Sequence, residues 1–211
     1  MSAGEEEPVT VQSLIKKLWT ASTSEECDAA AHQLAEIIKK QGIASLKVHG
    51  VLDSFINAAK NKKSGLEREG ALIGFNALAE VLGQQSEPVL LPYVPIMLDL
   101  YADKGSVVQE TAELAVNTIV KDIPAEAYNV LLPVVYDALG ANGSKKWQTK
   151  VGALKILTRL AEDAPLQIAA SLPELIPAVS DYGLTDTKTE VRNRAGMAVC
   201  YILAALITLL I

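Results

Sequence analysis

Histidine and cysteine are nearly absent from this chain, with two of each, and aromatic residues make up only 5% of it. That scarcity removes whole classes of chemistry. His32 and His49 belong to no HExxH motif and to no Cys/His cluster, so neither a zinc site nor a histidine base is apparent. Cys27 and Cys200 form no disulfide framework and no zinc spacing. Cys27 is expected in the first turn of a helix, where the dipole lowers a thiol pKa, but Glu25, Glu26 and Asp28 oppose that shift. It reads as a structural cysteine. Positive charge is short as well: 25 acidic residues outnumber 19 Lys and Arg, for a net charge of −6. The chain as a whole is therefore no electrostatic nucleic-acid binder, although a local basic edge remains open to it.

Other signatures are missing. No G-x-S-x-G elbow is present. The run from Gly140 to Lys146 holds two glycines and two lysines, but it misses the G-x-x-x-x-G-K-[ST] spacing and lies between two helices instead of after a strand. Residues 1–8 are polar and acidic, with Glu5, Glu6 and Glu7 in a row, and read as a flexible tail. They contain no basic stretch and no apolar run, so a signal peptide is not expected and a reducing, cytoplasmic setting is. Asn142, Gly143 and Ser144 then mark a turn and not a glycosylation site.

What the chain does have is apolar bulk and repetition. Half its residues are hydrophobic, mostly Leu, Ile, Val and Ala, the material of helix-on-helix packing. Leu91-Pro92, Leu132-Pro133 and Leu172-Pro173 recur at steps of 41 and 40 residues. Ala30, Ala71, Ala112 and Ala153 recur at steps of 41, with Ala195 one residue late. The two markers alternate, so each unit holds a proline-bearing segment followed by an alanine-bearing one. Both segments carry helical periodicity. In 145–163 the apolar residues Trp147, Val151, Leu154, Leu157, Leu160 and Ala161 follow the i, i+3, i+4, i+7 stripe. No stretch alternates with period two, so no strand is assigned.

These features predict an all-α, right-handed solenoid of antiparallel helix pairs, because repeats of this length are single supersecondary units that stack. About five pairs fill 9–198. First helices are expected near 9–21, 50–60, 89–102, 126–139 and 170–182, and second helices near 24–41, 66–82, 106–121, 145–163 and 188–209. Pro92, Pro133 and Pro173 are placed near helix starts, where a missing N–H costs nothing. Pro95 and Pro177 lie further in and are expected to kink their helices; such a kink marks repeats of the HEAT type. Ser24 is expected to cap the second helix. The recurring alanines are expected where neighbouring second helices approach most closely.

One charge pattern stands out. The turns inside the four later pairs all carry lysine: Lys60, Lys62 and Lys63, then Lys104, then Lys145 and Lys146, then Lys188. In a solenoid such turns share one rim, which could meet a phosphate backbone. The alternative is that lysine is simply a common solvated turn residue, and composition alone favours that alternative. Trp147 follows one lysine pair but fits the buried stripe.

Lys146, Trp147, Gln148 and Lys150, followed by the helix of Ala153 and Leu154, resemble the N-terminal HEAT region of fungal translation elongation factor 3. So does the run from Leu172 to Pro177 followed by Asp186, Thr187, Lys188, Glu190 and Val191, in matching order and spacing. The resemblance implies a ribosome-docking arm, bound to rRNA and ribosomal proteins, of a factor that promotes tRNA release from the exit site. The related HEAT region of the ribosome-associated activator of the amino-acid-starvation kinase is a runner-up, and a general adaptor for a protein partner is a third reading. ATP hydrolysis in that family belongs to downstream cassettes, which implies that this chain holds no cofactor, takes no small-molecule substrate and has no catalytic residues. From 199 to 211 the sequence runs almost wholly apolar and departs from the family's pattern. A divergent, sticky end prone to self-association is preferred there over a partner contact or a tail anchor.

Overall fold

The computed structural model describes residues 10–121, 123–143 and 145–209. The acidic tail expected over 1–8 lies outside them, as do the last two residues of the apolar end. Among the described residues every regular element is helical. The main helices are α1 (Val11–Thr20), α2 (Ser24–Gln41), α3 (Ser45–Val48), α4 (Val51–Ala59) and α5 (Gly65–Leu82). They continue with α6 (Glu87–Leu90), α7 (Val94–Leu100), α8 (Ser106–Val120), α9 (Tyr128–Leu139) and α10 (Trp147–Asp163). The chain closes with α11 (Pro165–Ala170), α12 (Leu172–Val179) and α13 (Thr189–Thr208).

The arrangement is a solenoid of antiparallel pairs in two rows. α4, α7, α9 and α12 follow one another in the first row, and α2, α5, α8, α10 and α13 form the second. The stripe predicted from spacing is the packed one. In α10, Ala153, Leu154, Leu157, Leu160 and Ala161 are all buried, whereas Trp147 and Val151 are half-buried against them. The repeating alanines Ala30, Ala71, Ala112, Ala153 and Ala195 are each at most 1% exposed, so the recurring small side chain lies in the packed interior. Four of the ten aromatics, including both phenylalanines, gather at one end. Trp19, Phe55, Phe75 and Tyr93 form a chain of ring contacts with centroids 6.1, 5.2 and 5.9 Å apart, linking the first three pairs.

The prolines behave differently from expectation in two places. Pro133 lies inside α9, at its sixth residue and so past the first turn, instead of near the start. Pro95 opens α7 instead of kinking a longer helix: the segment from Glu87 to Leu100 is broken by a 3₁₀ turn at Leu91–Tyr93, since two prolines three residues apart remove two amide donors. Pro177 does sit within α12, which gives way to a π turn at Ser180–Leu184. Thr23, not Ser24, caps α2. Its backbone is still extended, so its hydroxyl accepts the Glu26 amide at 3.2 Å.

Cys27 is buried and donates weakly to the Leu18 carbonyl at 3.6 Å. Burial, with Glu69 and Asp28 nearby, pushes its thiol up to about 11, so the structural reading holds. α13 is long and apolar enough to cross a membrane by length and composition. It also carries Glu190, Arg192 and Arg194 in its first two turns and packs Val191, Ala195, Ala198, Ile202 and Ala205 inward as a helical stripe.

Candidate functional site

Three of the turns that lead into second helices are built to one plan. Asn61, Asp103 and Asp186 each fold a side-chain oxygen onto the amide two residues ahead. The acceptor distances are 3.0 Å from Lys63, 2.9 Å from Gly105 and 2.8 Å from Lys188. These are Asx turns, which spare the backbone an unpaired donor while the chain reverses. The fourth residue of the following helix then reaches back. Arg68 Nη1 donates to the Asn61 and Ser64 carbonyls at 2.7 and 3.0 Å, and Arg192 Nη1 to the Asp186 carbonyl at 2.7 Å.

The same side chains tie one turn to the next. Arg68 grips Asp103 through Nε at 2.7 Å and Nη2 at 3.0 Å, a bidentate pair with both side chains little exposed. Lys146 Nζ donates to the Ala102 carbonyl at 3.2 Å. Lys150 Nζ donates to Asp186 Oδ2 at 2.7 Å and to the Tyr182 carbonyl at 3.3 Å. The result is a continuous ladder that sets the four lysine-bearing turns side by side along one rim.

The ladder also sorts the rim's charges. Burial works against ionisation of Asp103 and Asp186. It is outweighed by hydrogen bonds and charge from Arg68 in the first case, and from Lys150 and Arg192 in the second, with backbone amides helping. Both carboxyls stay below their ordinary values and neutralise their partners. Lys145 is likewise engaged, paired with Asp137 at 2.9 Å; that hydrogen bond raises its pKa and lowers that of Asp137. Lys146 remains exposed beyond its backbone contact. Lys60, Lys62, Lys63, Lys104 and Lys188 are exposed and enter no ion pair among the described residues. Glu190, in the first turn of α13, opposes Lys188 locally.

Sequence spacing located the lysines but missed the ladder. Its signal was present in Asp103 and Gln109, whose side-chain amide donates to the Asp103 carbonyl at 2.5 Å, and again in Asp186 and Arg192, six residues apart in both turns, with Asn61 and Arg68 seven apart. Only contacts between neighbouring turns give that spacing meaning. The rim also gains the N-terminal ends of α5, α8, α10 and α13, whose helix dipoles add positive potential. Two exposed apolar residues, Leu66 and Val107, lie among the lysines at the second positions of α5 and α8. No His, Cys, Asp or Glu cluster suited to a metal ion occurs among the described residues.

The chain matches the family described as "EF3 N-terminal HEAT repeat" over residues 27–199. It is 37% identical over 187 residues to the mRNA export factor elf1 of Schizosaccharomyces pombe, covering 88% of this chain and 18% of that protein. It is 30% identical over 190 residues to elongation factor 3 of Gonapodya prolifera, covering 90% of this chain and 17% of that one. The human stalled ribosome sensor GCN1 is also 30% identical, over 188 residues, 89% of this chain and 7% of its own length. This chain thus spans less than a fifth of each of these relatives. Among solved structures, that of Kap121p shares the fold with a TM-score of 0.56 at 15% identity, over 92% of this chain and 21% of that one. The 41-residue pairs, the ladder of turns and the match over 27–199 lead to one assignment: this chain belongs to the family of elongation factor 3 N-terminal HEAT repeats, and it is a HEAT-repeat domain, not an ATPase cassette.

Proposed function

We propose that this chain is a non-catalytic, cytoplasmic docking module that binds the ribosome through its lysine rim. On this reading residues 9–198 form the docking array and 199–211 a divergent apolar end. Relatives named elongation factor 3 and stalled ribosome sensor support the partner. The observation that carries the site is the row of exposed lysines that enter no ion pair among the described residues, Lys60, Lys62, Lys63, Lys104 and Lys188, on turns held in line by the ladder. Lys145 and Lys146 belong to the same rim but are partly spent on Asp137 and Ala102. Exposed ammonium groups beside helix N-termini suit an rRNA phosphate backbone, where each neutralised phosphate releases a counterion. ATP, where longer relatives use it, belongs on this reading to regions outside this chain, and the part in exit-site tRNA release to the whole factor. α13 is read as a solenoid helix, with outward-facing Met197, Leu203 and Ile207 as a self-association surface.

Co-sedimentation with purified ribosomes tests the rim. Binding should weaken as salt rises. It should fall at least tenfold when Lys60, Lys62, Lys63, Lys104 and Lys188 are replaced together by Glu. Unchanged binding by that variant would remove the rim from the argument. The 37% identity to a protein named an mRNA export factor favours a second reading, in which the same rim meets a messenger ribonucleoprotein. Recovery of polyadenylated RNA without ribosomal subunits from a crosslinked extract would select it.

A further inference from the structure

The second row of helices is not evenly packed. α5 lies closely along α8, and α10 along α13, but α8 and α10 touch at few places, because α10 leans instead on α7 and α9. A groove of about 570 Å³ opens between α8 and α10 and is closed at one side by α13. Two bonds span it: Lys155 pairs with Glu113, and Arg159 Nη2 donates to the Lys121 carbonyl at 3.0 Å. The groove lies outside the lysine rim and shares no residue with it.

Its charge runs against that of the chain. Lys121, Lys155, Arg159 and Arg194 line it, opposed by Glu113 and Glu162. Lys155 is committed to Glu113, and Arg159 to Asp163. Lys121 and Arg194 enter no ion pair among the described residues. Arg194 is the anomaly. Its Nε is buried without a hydrogen-bond partner, and its Nη1 meets only the Met197 sulfur at 3.7 Å, a poor acceptor. A guanidinium left in that state lacks the planar, two-oxygen acceptor that its fork of donors fits best, which a carboxylate supplies.

We propose that this groove binds an acidic polypeptide segment, with one carboxylate on Arg194 and a second on Lys121. Its volume falls in the range of ordinary ligand sites. The lining favours peptide over nucleic acid. Glu162, which enters no ion pair among the described residues, repels an evenly charged phosphate backbone, whereas a peptide can leave an uncharged residue opposite it. Tyr201 is the one aromatic side chain in the lining, too little for a stacking platform. Asn117, on the exposed wall of α8, offers the paired amide donor and acceptor that a peptide bond presents in return.

The probe is a fluorescein-labelled peptide of eight residues carrying four glutamates, titrated with the full chain at low salt and read by anisotropy. Saturable binding is expected, weakened at least tenfold by Arg194→Met and by Lys121→Glu. The fivefold rim substitution should leave it within twofold, so failure of the groove and failure of the ribosome reading are separable. Melting and far-UV dichroism report whether each variant is folded. Should Arg194→Met unfold the chain, Lys121→Glu, at an exposed position, decides alone. The proposal is overturned if the folded variants bind as the parent does or if the peptide fails to bind at millimolar concentration. It is equally overturned if a uridine decamer binds more tightly than the peptide with the same dependence on Arg194.

Discussion

α5 and α13 are both long second helices of their pairs, with 18 and 20 residues, yet they are covered to very different extents. α5 touches α1, α2, α4 and α8, and from Gly70 to Ala79 it is buried on every side. α13 meets α10, α11 and the π turn, and buries only Val191, Ala195, Ala198, Ile202 and Ala205. Its later turns are nevertheless the more apolar, and Met197, Leu203 and Ile207 stand 47%, 53% and 57% exposed. Hydrophobicity sets what a helix gains from being covered. The number of neighbours sets how much of that gain is realised, which is the quasi-one-dimensional logic of a solenoid.

Truncating one leucine on each helix gives the largest contrast. Leu78→Ala on α5 leaves a hole where the side chain is fully buried and should cost about 2–5 kcal/mol. Leu203→Ala on α13 removes a half-exposed side chain and should stay within about 0.5 kcal/mol. Urea melts of both variants measure the difference. Similar costs would mean that α13 is covered in solution by something the monomer does not supply.

A glycine in each helix sharpens the comparison. Added to Gly70, a methyl group would lie 2.4 Å from the Leu18 carbonyl oxygen, which is backbone and cannot swing aside. Gly70→Ala should therefore destabilise by about 1–3 kcal/mol, overriding the helix-propensity gain. At Gly196 nothing lies within 4 Å, so Gly196→Ala should keep that gain and stabilise by about 0.5–1 kcal/mol. Thermal melts of opposite sign are the expected result, and a shared sign would break the contrast.

The smallest effect belongs to a polar tie on the covered side. His32, on α2, meets Glu80 of α5 at 3.1 Å through Nε2 and the Asp28 carbonyl at 3.0 Å through Nδ1. Partial burial disfavours its charge, but the Asp28 carbonyl, the Asp28 carboxylate and Glu80 together outweigh it and raise its pKa above the ordinary value. A raised folded-state pKa makes protonation stabilising. The contribution is fully present below the unfolded value and disappears as pH climbs through the raised one. The ring is more than a third exposed, so the effect is small. The melting temperature should decline slightly across that window, and His32→Gln should flatten the decline.

The repeat length, the helical character of every segment and the buried alanine register were legible in the sequence because they are one-dimensional. A period of 41 residues and a stripe of 3.6 need only residue order, and both appear in Ala71, Ala112 and Ala153. The capping of α2 by Thr23 and the break at Leu91–Tyr93 were not legible, because each depends on where the backbone leaves the extended region or takes a 3₁₀ turn. The lysine rim was half legible. Spacing put Lys60, Lys62, Lys63, Lys104, Lys145, Lys146 and Lys188 in equivalent turns, but it could not show that Lys145 is spent on Asp137.

Residue order by itself determined a stack of helical hairpins with lysine at the inner turns of the four later pairs, because local periodicity and turn chemistry act over a few residues. The tertiary structure alone decided which charges cancel, through the Arg68–Asp103 and Lys150–Asp186 rungs, and where the second row opens to leave Arg194 without an acceptor. Both depend on side chains more than 30 residues apart meeting across neighbouring repeats, and short-range spacing holds no record of that distance.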